Sequence, residues 1–154
     1  MTFFAGDILY AADLNIIGFP PSVIAARSTN QSINNASSTP ITFPTEVRDT
    51  DSMFTAGGSS VTIASGRGGL YHIVGWGSWA ANATGFRQFT LLVNAVQVMD
   101  VTLPNATAAA FESFSVEDYQ VLTAGDVVTM NGQQSSGGAL NVTAARLSVV
   151  RVGD

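Results

Sequence analysis

From about residue 41 onward the chain is a succession of short runs rich in Val, Ile, Thr, Phe and Leu, separated by Gly, Asn and Ser, with no helical period of apolar residues. This excludes a parallel βαβ architecture, because parallel strands need crossover helices that the sequence does not encode. The stretch after Gly85 is the cleanest case. Arg87, Phe89, Leu91 and Val93 alternate with Gln88, Thr90 and Leu92, and Asn94-Ala95 then turns the chain into Val96 and Val98. Strands are expected over 22–27, 40–46, 52–55, 60–64, 69–80, 86–94, 96–103, 107–121, 126–133 and 139–152. The polar, small residues 28–40 read as a loop between two early strands. Antiparallel pairing with Greek-key or jelly-roll connections, giving an all-β two-sheet sandwich, is the economical solution.

A length of 154 residues makes this one domain, but its surface balance is unusual: 46% of residues are hydrophobic and 11% charged. An ordinary soluble domain carries about 25% charged residues, so apolar surface is left over after one core is filled. A membrane span does not absorb it, since stretches such as Val121 to Val128 are short and broken by Thr, Gly and Asp. The N-terminus has no basic residue before its apolar part and no long apolar run, so it does not read as a secretory signal. The expectation is a protein made in the cytosol whose surplus apolar surface is covered by copies of itself or by a larger assembly. Nucleic acid is a poor partner: the net charge is −5, and Arg27, Arg48, Arg67, Arg87, Arg146 and Arg151 are scattered singly. The absence of cysteine removes a disulfide framework, a thiolate zinc site and a cysteine nucleophile together.

Two strands are apolar on both faces. In 69–80, Tyr71, Ile73 and Trp79, with Gly75 and Gly77 between them, suit a sandwich core, while Leu70, His72, Val74 and Trp76 point the other way. In 144–152, Leu147, Val149 and Arg151 alternate with Arg146, Ser148, Val150 and Val152. A face holding Leu70, His72, Val74 and Trp76, continued by Val150 and Val152, is explained by a subunit contact. The competing explanation is that the N-terminal segment of the same chain covers it.

That opening segment is distinct. Phe3, Phe4, Ile8, Leu9, Tyr10, Leu14, Ile16, Ile17 and Phe19 are interleaved with Asp7 and Asp13 and end at Pro20-Pro21. The run between Gly6 and Gly18 is too short for a stable isolated helix, so it must dock onto something. The chain therefore divides into a docking or tether segment, 1–21, and a jelly-roll domain, 22–154.

Three pieces, in order, resemble the compact jelly roll shared by tumour necrosis factor and the globular heads of complement and collagen-like proteins. Gly69-Leu-Tyr-His-Ile-Val is similar to that family's glycine-led central strand, Phe89-Thr-Leu-Leu-Val-Asn94 to its hairpin strand ending in Asn, and Val121-Leu-Thr-Ala-Gly125-Asp126-Val-Val to its Leu-x-x-Gly-Asp-x-Val turn. The last strand lacks the family's aromatic-Gly signature. The resemblance implies a homotrimer whose inner sheets pack around a threefold axis, with Leu70, His72, Val74, Trp76, Val150 and Val152 at the interface. The opening Phe4-Ala-Gly-Asp-Ile-Leu-Tyr-Ala-Ala-Asp-Leu-Asn15 resembles a start common in structural proteins of tailed bacteriophages. It implies a virion protein, assembled in the host cytoplasm, that is held to other virion proteins through residues 1–20. Phe3, Phe4, Asp7, Ile8, Leu9, Tyr10, Asp13, Leu14 and Asn15 would be the docking residues, with Asp7 or Asp13 capping a helical turn. A tail-fibre or tail-tip role, with loops 81–85 and 104–107 meeting a host receptor or glycan, stands beside a capsid-decoration role and a secreted ligand-binding module.

Catalysis finds little material. The one histidine, His72, lies mid-strand, and no nucleophile-elbow glycine pattern accompanies any Ser. Three copies of His72 near one axis would titrate together and weaken a trimer in acid. Asp49 with Asp51, and Glu117 with Asp118, are the close carboxylate pairs; neither fits a calcium loop, so the first reads as a solvated turn and the second as strand-end charge. With three Glu in the chain a glycosidase groove is improbable on composition. No enzyme activity, cofactor or metal is expected. Gly57-Gly58, Gly66-Arg-Gly68-Gly69 and Gly137-Gly138 are turns, because no Gly-Lys-Ser and helix follow them.

Overall fold

The computed structural model describes residues 20–104 and 111–153. It contains eleven strands: β1 Ser22–Arg27, β2 Gln31–Ile33, β3 Thr39–Pro40, β4 Thr45–Asp49, β5 Ser60–Thr62, β6 Gly69–Trp79, β7 Arg87–Val93, β8 Val96–Leu103, β9 Glu112–Leu122, β10 Val127–Gln134 and β11 Leu140–Gly153. They form two antiparallel sheets. One runs β4-β1-β11-β6-β9, with β2 also on β11; the other runs β3-β10-β7-β8, with β5 also on β10. From β2 onward the chain changes sheet after every strand except β7, which pairs with β8 as a hairpin in one sheet, as the jelly-roll connectivity expected from the sequence requires.

The alternation in the sequence becomes the core. Tyr71, Ile73 and Trp79 of β6, Phe89 and Leu91 of β7, Val128 and Met130 of β10 and Leu147 and Val149 of β11 are fully buried between the sheets. Glycines in β6 make room for this packing. A Cβ on Gly77 would stand 2.3 Å from the Phe89 ring, which is itself stacked at 5.4 Å on Trp79 and tilted at 4.8 Å against Phe114. Asn94 and Ala95 both adopt positive φ, 51° and 64°, so the β7–β8 connection is the two-residue turn whose twist matches the strands.

Several early elements differ from expectation. The strand expected over 40–46 is divided into β3 and β4, because Pro40 and Pro44 cannot donate ladder bonds. Residues 52–55 form no strand. Their backbone is held by other means: the Phe54 amide donates to Asp49 Oδ2, and the Met53 carbonyl accepts from Thr62. The expected loop 28–40 contains β2, whose Ile33 is fully buried opposite Leu140. The strand expected from residue 107 begins at Glu112, with 107–110 outside the described residues.

Candidate subunit interface

The β4-β1-β11-β6-β9 sheet has one face on the core and one turned away from it. Strand register fixes which residues share the outer face. One row is Ser22, Val150, His72 and Tyr119; the next is Ile24, Ser148, Val74 and Glu117; the third is Ala26, Arg146, Trp76 and Ser115. Leu70 lies beyond them beside Val121, and Val152 sits in the irregular register between Arg151 and Gly153. The face is therefore built from β1, β11, β6 and β9. The intervening rows, such as Val23, Val149 and Ile73, carry the core.

Five of the six interface candidates, Leu70, His72, Val74, Trp76 and Val150, fall on this one face by register, and Val152 follows them in the irregular stretch of β11. Trp76 is 39% exposed, Val152 53%, Tyr119 58% and Val121 75%, so large apolar side chains stand in water across three adjacent strands. Sequence reasoning missed Tyr119, Val121 and Glu117. The signal was available as the period-two series Ser113, Ser115, Glu117, Tyr119, Val121, all exposed in β9. Glu117 and Asp118, read as strand-end charge, lie mid-strand instead, with Glu117 on the outer face and Asp118 opposite Ile73 on the other.

His72 is the polar centre of the face. Its imidazole stacks on the Tyr119 ring at 4.4 Å with a 13° interplanar angle, and its Nε2 stands 3.4 Å from Glu117 Oε2. The histidine side chain is 29% exposed and the glutamate 65%. Among the described residues no group of three or more His, Asp or Glu could hold a metal ion. Asp49 and Asp51 organise their own turn: Asp49 accepts the amides of Asp51 and Phe54, and Asp51 pairs with Arg67 at 2.6 Å.

Two further polar groups shape the ends of the sandwich. Arg87 is fully buried and donates to the carbonyls of Asn82, Thr84 and Phe86, tying down the 81–85 loop singled out for receptor contact. Burial lowers its pKa, while Glu112 opposes that shift. At the other end burial raises the Tyr71 pKa, and its hydroxyl donates to the Arg67 carbonyl at 2.5 Å. The docking candidates Phe3, Phe4, Asp7, Ile8, Leu9, Tyr10, Asp13, Leu14 and Asn15 lie outside the described residues, as does most of the 104–107 loop.

No protein-family profile matches the chain, and no curated protein matches it in sequence. Solved structures do match. The globular domain of zebrafish complement 1qA protein aligns with a TM-score of 0.62 at 17% identity, over 87% of this chain and 99% of that one. The fold is that of the tumour-necrosis-factor and complement-head jelly roll. A tumour necrosis factor, Eiger from S. frugiperda, aligns with a TM-score of 0.62 at 13% identity, over 87% of this chain and 94% of that one. The PRD1 vertex protein P5 aligns with a TM-score of 0.60 at 18% identity, over 87% of this chain and 98% of that one. These structural alignments establish the architecture, and at 13–18% identity the likeness is one of fold.

Proposed function

We propose that the chain is a non-enzymatic structural protein of a tailed-phage virion, a homotrimeric outward-facing appendage held to the particle by residues 1–20. The carrying observation is the outer face of the β4-β1-β11-β6-β9 sheet, where Trp76, Tyr119, Val121 and Val152 are exposed together. Self-association is the ordinary way a face with several exposed large apolar side chains is covered. The occupant is a copy of the same chain, because this is the face on which the complement-head and tumour-necrosis-factor resemblance implies threefold packing. A tail-fibre or tail-tip role suits a short tether leading to a terminal trimer, with the braced 81–85 loop meeting the host surface. The likeness to a vertex protein supports the capsid alternative, a decoration or head-fibre protein.

Deleting residues 1–20 tests the tether. The expected product is a soluble trimer that no longer joins particles; a truncated chain that still incorporates would contradict this attachment. A secreted module would instead keep its binding activity without the segment.

A further inference from the structure

We infer that protonation of His72 tightens the association of copies through this face, so that the assembly is more stable in mild acid than at neutral pH. The inference rests on the interface reading above and concerns the regulation of that same surface.

The geometry supplies both halves of the argument. His72 and Glu117 are diagonal neighbours on β6 and β9, with Nε2 and Oε2 3.4 Å apart, in the middle of the apolar rows. In the single chain Glu117 is 65% exposed and keeps its water. Covering the face with another copy strips that water. With a neutral imidazole beside it, each carboxylate enters the interface as an uncompensated negative charge, which is strongly unfavourable. Symmetry multiplies the charge by bringing equivalent carboxylates toward one contact. Protonating His72 puts a cation beside the anion, so the buried unit becomes a pair of zero net charge, and stacking on Tyr119 keeps the ring aimed at it.

The sign follows by linkage. The assembled state holds the His72 proton more tightly than the free chain, so association takes up protons. Its added stability is fully present below the free-chain histidine range and is lost as the pH rises through the assembled-state range. Taken without Glu117, clustered His72 side chains would repel one another in acid; the carboxylate reverses that sign. On β9 the remaining groups are Tyr119, a phenol, and the carboxylates Asp118, opposite Ile73, and Glu112, opposite Trp79, both in core-side rows. On β11, Arg146 shares the face but lies in the Trp76 row, while Arg151 is opposite Tyr71 on the other side. On β4, Arg48 pairs with Ile24 of β1 and its Nε donates to Ser22.

The test is dilution-dependent sedimentation of the full chain at about pH 7.5 and about pH 5.5, at equal ionic strength. The wild-type subunits are expected to associate at least about tenfold more tightly at the lower pH. His72→Gln should abolish the difference, and Glu117→Gln should invert it, since His72 would then enter the interface as an unpaired cation. An assembly that is indifferent to pH or weaker in acid, or a His72→Gln variant that keeps the gain, would overturn the inference. A chain that is monomeric at both pH values would instead overturn the interface reading on which it rests.

Discussion

Asn94 shows how much a single side chain can organise. Its backbone amide donates to the Val127 carbonyl, its side-chain oxygen accepts from the Val127 amide, and its side-chain nitrogen donates to Asp126 Oδ1 at 2.7 Å. The β7–β8 turn is thereby fastened to the turn before β10. Ala95 is the weak partner, because a Cβ at a φ of 64° is strained where glycine is not. Ala95→Gly is expected to raise stability by about 0.5–1 kcal/mol in urea unfolding, with no change in solution mass. Asp126 carries the pH consequence. The Thr123 amide, then the Asn94 side chain and the Thr123 hydroxyl, hold its carboxyl below the usual aspartate range against a slight opposing effect of burial. A depressed carboxyl contributes stability above its unfolded pKa and loses it as the pH falls through the folded value. Asp126→Asn should therefore flatten the acid limb of a Tm-against-pH curve below about pH 4, and an unchanged limb would exclude this source. Gly77→Ala meets the Phe89 ring at 2.3 Å and should cost about 1–3 kcal/mol of stability by overpacking.

At the scale of elements, legibility followed the pattern of side chains. Strands β6, β7, β8, β10 and β11 were readable because each is a long β-rich run bounded by turn residues, although β11 and the β7–β8 pair carry register shifts, and β6 announced its second apolar face through Leu70, His72, Val74 and Trp76. Of the short pieces, β1 and β5 match the strands expected over 22–27 and 60–64, whereas β2 was not readable. β2 is three residues in an Asn- and Ser-rich stretch and exists because Ile33 has a buried place against β11, a tertiary fact that local composition does not carry. Met53 and Phe54 are apolar and buried like strand residues, yet Asp49 and the carbonyl partners of 55–58 bend their backbone into a loop. The exposed outer face was half legible: its β6 and β11 positions were read from the sequence, but the Glu117, Tyr119 and Val121 side of β9 was not, since its serines masked the alternation. A charge on the exposed face of β6 separates fold from assembly. Trp76→Glu should leave unfolding within about 0.5 kcal/mol when corrected for subunit association, as expected for an exposed site, while abolishing association in sedimentation.

For the whole molecule, Trp76, Tyr119, Val121 and Val152 leave large apolar surface exposed on β6, β9 and β11 of one sheet, while Val96 and Met99 of the second sheet and Phe111 are exposed as well. The most direct measurement is the solution mass of the purified full chain by light scattering at neutral pH over a range of concentrations. A trimer of the 16.0 kDa chain, holding its mass on dilution, is the predicted result. A monomer at every concentration would contradict the account, because the exposed Trp76, Tyr119, Val121 and Val152 face would then be covered within one chain or left in water.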